Sequence, residues 1–394
     1  MKNNRAFIVY LVAFAAFLGP FTQTIYVPII PEVINELHTS HFLVNLTISF
    51  YTLFLAIMQM VYGPLADSKG RRKIMLAGIS VYLLATIGCY FSESIYILLI
   101  FRSLQAVGIA AGSVIAVTVI GDLFEGNTRI KPMGTFQMMV SLGPVVGPVV
   151  GGFLGGSFNF HFVFLALVAV GLLVLAGNFL FLKETKPENA VKRRFKFTDY
   201  FTILKNRTGS AIIFLGFIQY YSLYNFLVFL PGLMGDRYGL TVEEKGLVFV
   251  PLSLSIVIGS FIGGRLQRFS GKQVVVYTAY LNVAAILLFI LVSHVALILL
   301  IVSISLFGLF LGMSLPVQTT MLTLEFQANR ATATGAYNFF RYMGMAFGPI
   351  VGSLLVQMGG YNLLYGFADA AFLGLSLLLS KRFLKGNTFN QTSI

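Results

Sequence analysis

Charge is scarce in this chain: of 394 residues only 10% are charged, while 57% are hydrophobic. Soluble domains carry about 25% charged residues, so the shortage excludes a water-soluble globule and points to an all-α integral membrane protein. Cysteine is nearly absent. The single copy, Cys89, excludes an intramolecular disulfide and any metal site built on cysteine. Histidine is almost as rare, and although His38 and His41 lie three apart, no further ligand converges on them, so no metal is expected. Thr39-Ser40 between them reads instead as a helix cap. No glycine-rich Lys-Ser/Thr phosphate loop occurs, which excludes ATP as the energy source. Nor do apolar stretches hold clustered histidines and acids or a Ser-His arrangement, so neither enzymatic activity nor a cofactor is expected.

What is abundant is long apolar sequence. Stretches of spanning length fall roughly at 6–30, 42–65, 74–91, 95–121, 132–155, 160–182, 210–235, 246–266, 273–292, 295–322, 332–357 and 361–380. The first is too long for a signal-peptide core and reads as a span. An even number of spans puts both termini on one side. The net charge of +13 decides which side, because the basic residues are placed asymmetrically. All but four of the 27 lysines and arginines fall on one face; Arg237 and Lys245 lie on the other, and Arg102 and Arg341 lie inside spans. That face is therefore cytoplasmic. The basicity is topogenic, which removes nucleic acid as a partner. The longest hydrophilic segment, 183–209, contains Lys192-Arg193-Arg194 and Lys196 and divides the chain into bundles at 1–182 and 210–394. Its basic cluster suits an anionic lipid surface.

A second abundant feature is glycine in a pattern. Gly134, Gly143, Gly147-Pro148 and Gly151-Gly152 recur 201 positions later as Gly335, Gly344, Gly348-Pro349 and Gly352-Ser353. Gly143, Gly147, Gly151 and Gly155 are four apart, so on a helix they form one stripe bare of side chains. Pro144 and Pro148 remove hydrogen bonds and bend that helix. The repetition at one offset implies two homologous halves.

The reversal after span two reads Gly63-Pro64-Leu65-Ala66-Asp67-Ser68-Lys69-Gly70-Arg71-Arg72-Lys73. Its two glycines permit a tight turn. Asp67 falls at a helix C-terminus, where the dipole is already negative, so its charge needs a cation such as Arg71. The second half keeps Gly264, Leu266 and Gly271-Lys272 at the same offset, but Arg268 replaces the acid.

These residues carry a resemblance. The reversal resembles the signature between helices two and three of the major facilitator superfamily. The Gly134–Gly152 stretch is similar to the fifth-helix signature of its twelve-helix drug:proton antiporters. Arg102, Gln105, Gly108, Ile109, Ala110 and Ala111 on span four resemble the fourth-helix motif, with Ala106 in place of a glycine. Thr24 to Pro31 also looks like that branch, but the acid many relatives carry in span one is missing, and Gln23 and Thr24 stand there instead. The resemblance implies twelve helices in two pseudo-symmetric six-helix bundles, a cavity lined by spans 1, 4, 7 and 10, and alternating access by rocking of the bundles. It implies that Gly63, Asp67, Gly70, Arg71, Arg72 and Asp122 act in gating. Gly143, Gly147, Pro148 and Gly151 are expected to pack where the two bundles meet.

Ionisable groups inside spans are functional candidates because burying a lone charge is expensive. They are Arg102, Arg341 and Asp369, the last two expected to pair between antiparallel spans eleven and twelve. Candidate substrate contacts are Gln23, Tyr26, Gln105, Tyr221, Tyr224, Asn225, Gln318 and Asn338, whose aromatic and neutral polar character suits amphipathic or cationic molecules. The expectation is a monomeric secondary transporter of the plasma membrane, exporting small amphipathic or cationic organic compounds (multidrug efflux) in exchange for protons. Transport of one specific metabolite is the alternative. A transporter-like receptor is a third reading, for which a long tail or signalling domain would be expected.

Overall fold

The computed structural model describes residues 2–124, 128, 130–186, 197–266, 270–326 and 330–384. Arg129, Lys192, Arg193, Arg194, Lys196 and Arg268, all part of the expected basic face, lie outside them. Thirteen helices occur among the described residues, and eleven are long and apolar enough to cross a membrane. The last of these, α13 (Arg330–Phe383), is interrupted at Gly359 and Gly360, where φ of Gly360 is +69°. Only glycine takes up that left-handed conformation without strain. The break separates two spanning arms, 330–358 and 361–383, and brings the spans to twelve.

The first apolar run is shorter than its composition suggests. Helix α1 (Lys2–Ile25) stops well before residue 30, because Pro28 disfavours helical backbone at Val27. A separate short helix, α2 (Ile30–Glu36), then starts with Pro31 in its first turn, where a missing N–H costs nothing. Helix α3 (His41–Lys69) begins on Ser40, whose Oγ accepts the Leu43 N–H at 3.3 Å. It continues straight through Gly63 and Pro64, so the reversal is narrower than the sequence implies. Gly70 alone makes it, at φ +98°. Helix α4 (Arg71–Tyr90) starts at once, followed by α5 (Ile95–Leu123), α6 (Ile130–Ser157) and α7 (Phe160–Phe181).

The hydrophilic segment 183–209 is not wholly a tether. It contains α8 (Phe197–Lys205), whose Ile203 is 2% exposed in a core with Ile212, Ile213, Leu322, Ala336 and Tyr337. Asn206 then caps α9 (Arg207–Tyr238), accepting the Thr208 and Gly209 N–H groups at 2.8 Å. Helices α10 (Val242–Leu266), α11 (Gly271–Val292) and α12 (Leu297–Glu325) precede α13.

The chain forms two compact units. One comprises Met1–Phe195 with Leu240–Leu247, and the other Lys196–Gly239 with Val248–Ile394. In the first, α1 packs on α5 and α6, and α4 on α5 and α7. In the second, α9 packs on α13 and α11 on α12.

Candidate functional site

The interior of the first unit is built around Arg102 of α5, which is fully buried. Its guanidinium lies over the rings of Tyr26 at 4.7 Å and Tyr51 at 4.5 Å. Nη1 donates to Gln105 Oε1 at 2.7 Å and to the Thr22 carbonyl at 3.4 Å. One helical turn separates Arg102 from Gln105, so both project from one face of α5. Gln105 in turn donates to Thr86 at 2.9 Å, Gln23 donates to Thr52 at 2.8 Å, and Thr22 shares a 2.8 Å bond with Tyr82. Arg102 Nε and Nη2 have no hydrogen-bond partner. Sequence reasoning picked out Arg102, Gln105, Gln23 and Tyr26 but missed Tyr51, Thr52 and Tyr82. Their signal was a polar edge inside an apolar run, which composition alone does not separate from ordinary packing.

The second unit has a comparable centre at Arg341, in the first arm of α13. It is half-buried and lies over the rings of Tyr220 at 4.1 Å and Tyr337 at 5.2 Å. Its Nη2 donates to the Tyr220 hydroxyl and its Nη1 to Asn338 Oδ1 at 3.3 Å. Gly216 of α9 makes the room, since a Cβ there would stand 2.6 Å from Tyr337 and 3.1 Å from Arg341. Behind this centre the Tyr337 hydroxyl donates to Gln318 Oε1 at 2.9 Å, and Gln318 Nε2 donates to Gln219 at 2.8 Å and Ser314 at 2.5 Å. Tyr221, Tyr224 and Asn225 are buried on α9.

The expected pairing of Arg341 with Asp369 does not occur. Arg341 turns towards α9 and its tyrosines, while Asp369 Oδ1 is buried without a partner. Arg341 lies 18 positions before Gly359 and Asp369 nine after Gly360, so the two stand at different distances from the break between their arms. Among the described residues neither Arg102 nor Arg341 forms an ion pair.

Ion pairs do occur at the basic end of the first unit. Arg71 Nη2 lies 3.1 Å from Asp67 Oδ1, its Nε donates to Asp122 Oδ2 at 2.9 Å, and its Nη1 donates to the Ala66 carbonyl at 2.9 Å. One guanidinium thus joins the C-terminal turns of α3 and α5, where helix dipoles add to the carboxylates' negative charge. Glu184, which sequence reasoning passed over, serves the opposite pole. Its carboxylate accepts the N–H groups of Arg71 at 2.9 Å, Arg72 at 3.2 Å, and Thr185 and Lys186 at 3.0 Å each. Partial burial works against its charge, but these four donors, two of them at the start of α4, outweigh it and hold the carboxyl below its ordinary range. Arg72 also reaches the Phe179 carbonyl at 2.8 Å, and Thr185 reaches Asp122 at 3.2 Å.

The glycine stripe faces its own unit. A Cβ on Gly143, Gly147 or Gly151 would meet Phe21 N at 2.8 Å, Thr24 Oγ1 at 2.2 Å or the Ile25 carbonyl at 1.9 Å, all on α1. The space at these three stripe glycines is thus filled by α1, where Thr24 Oγ1 also donates to the Gly143 carbonyl at 3.1 Å, while Pro148 and Gly152 on the same helix lie against Gly246 near the start of α10. The second copy behaves alike. Gly344 and Gly348 lie against the Phe217 and Tyr221 carbonyls of α9, the first span of its own unit.

Comparisons with known proteins agree with this doubled architecture. The model of the Major Facilitator Superfamily matches residues 12–213 and 212–390. YdgK of Bacillus subtilis, an uncharacterized MFS-type transporter, is 30% identical over 393 residues, covering 95% of this chain and 96% of that one. The multidrug transporter protein MdtP of the same organism is 25% identical, covering 92% and 77%. Among solved structures, the nucleoside transporter NupG has a TM-score of 0.80 at 13% identity, over 95% of this chain and 99% of that one, a likeness of fold alone. Twelve spans, the repeated glycine-proline helix and a family match along nearly the whole length agree: the chain belongs to the Major Facilitator Superfamily and is a multi-pass membrane transporter.

Proposed function

We propose that this transporter exports small amphipathic organic molecules in exchange for protons, from the cytoplasm across the plasma membrane, as a monomer with both termini cytoplasmic. The observation that carries the reading is the fifth-span glycine helix seated on the first span, Gly151 directly against the Ile25 carbonyl. It is the feature that resembles the exchanger branch, and a relative named as a multidrug transporter agrees with it. With no side chains between them, α1 and α6 move as one piece, which suits rocking of a half as a rigid body. Arg71, holding Asp67 and Asp122, acts as a latch on the cytoplasmic side of the first half, made in one orientation and broken in the other.

The alternative, transport of one defined metabolite, is favoured by a different observation. Gln318, Gln219 and Tyr337 are already fixed by one another, as are Gln105 and Thr86. Preset polar groups suit a single ligand better than a broad range. Reconstitution into vesicles containing an internal pH dye separates the two. Proton movement on adding several unrelated amphipathic compounds is expected from the exchange reading. A silent dye across such a panel sinks it in favour of the single-metabolite one.

A further inference from the structure

We propose that Arg341 recognises an anionic group, a carboxylate or its equivalent, on the transported molecule. This deepens the export reading by naming a substrate class, and rests on it.

Three observations converge. The first is charge without a counter-charge. A guanidinium stays protonated in any protein environment, and a charge withdrawn from water is costly unless paired. Arg341 is held only by neutral groups, the Tyr220 hydroxyl and Asn338 Oδ1. Its Nε is buried with no partner. Asp369 does not neutralise it, and Arg102 in the other unit is equally without a carboxylate. The second is occupancy of the aromatic faces. Tyrosine rings would attract a cationic cargo, yet Tyr220 and Tyr337 are already covered by Arg341, and Tyr26 and Tyr51 by Arg102. A cation reaching the second unit's centre would find the Tyr220 and Tyr337 faces taken and a fixed positive charge beside them.

The third observation is that the guanidinium is set in place. Gly216 opens the space, Asn338 and Tyr220 fix two of its nitrogens, and the Tyr337 hydroxyl is tied back to Gln318. The planar fork of arginine matches a carboxylate with two parallel hydrogen bonds. Being half-buried rather than sealed, Arg341 remains within reach of a ligand, unlike Arg102.

The test is equilibrium dialysis of the full chain in lipid nanodiscs against benzoate and fluorescein as anionic probes and tetraphenylphosphonium as the cationic one. Saturable binding of at least one anion is expected, weakened at least ten-fold in Arg341→Gln and kept within about five-fold by Arg341→Lys. Tyr220→Phe, which keeps the ring but frees one nitrogen, is expected to weaken it about three-fold and carries the test if Arg341→Gln does not fold. The proposal is overturned if neither anion binds the wild type, or if Arg341→Gln, or failing it Tyr220→Phe, binds the anions as the wild type does. The pH-dye assay is independent of this binding. Anion binding without proton movement overturns proton exchange and leaves Arg341 assigned. Proton-coupled movement of the cation alone, with no anion bound, does the reverse.

Discussion

A carboxylate that accepts four backbone N–H groups is held ionised by them, and Glu184 accepts those of Arg71, Arg72, Thr185 and Lys186. Its folded pKa is depressed, so the stability it contributes is fully present above the ordinary carboxylate range and is lost as pH falls through the lowered value. Glu184 is largely exposed, and water screens most of the interaction. Glu184→Gln is therefore expected to cost only about 0.5 kcal/mol near neutral pH, the scale of a charge at a helix terminus. The measurement is thermal unfolding in detergent of wild type and variant at about pH 7 and about pH 4, and an equal difference at the two would refute the assignment. Nothing local in the sequence announced Glu184, because only the fold brings residue 184 to the Gly70 turn. Asp67 and Arg71 were legible, since four positions and one reversal fix their proximity. Arg102 was legible for another reason: an arginine within an apolar run has few cheap places to go, and Gln105 one turn away is among them.

At the scale of the element, the glycine-proline helix was visible as a repeat but its partner was not. A spacing of four defines a bare stripe along one face of a helix and leaves open which neighbour fills it. The close approach of α1, down to the Ile25 carbonyl, settles that. The same geometry separates the glycines by role. Gly151 has no room for a methyl group, whereas a Cβ on Gly134 meets nothing within 4 Å. Gly151→Ala must push α1 and α6 apart, at a cost of the order of 1–3 kcal/mol typical of overpacking. Gly134→Ala is expected to be neutral or to stabilise by about 0.5–1 kcal/mol through helix propensity. Unfolding temperatures of the two variants check this, and an equal response would mean that the stripe is not what joins the helices. Helices α2 and α8 were missed because each is short: α2 was absorbed into an apolar run that Pro28 cuts, and α8 sits in a segment whose basic composition masked the apolar face carrying Ile203.

At the scale of the molecule, twelve spans in two halves could be read from apolar length, basic-residue asymmetry and the 201-residue offset, because a bilayer leaves few other solutions for such a chain. What could not be read was azimuth, the direction in which a residue points around its helix. Arg341 turns to α9 and leaves Asp369 Oδ1 buried with no partner, and Arg341 stands about twice as many residues from the Gly359–Gly360 break as Asp369 does. This has a consequence for coupling. An acid salt-bridged to arginine cannot exchange a proton without losing that partner, whereas an unpaired one has no ion pair to break. Among the acids of the described residues, Asp369 alone stands well inside a span; Asp67 and Asp122 lie at helix ends and are held by Arg71. If export is driven by protons, we propose Asp369 as the group that takes one up. Asp369→Asn in vesicles is then expected to remove substrate movement driven by a pH gradient while leaving probe binding within about three-fold of wild type. Energised transport that survives the substitution would move the proton to the Arg71 network, where Asp67→Asn and Asp122→Asn would have to remove it instead.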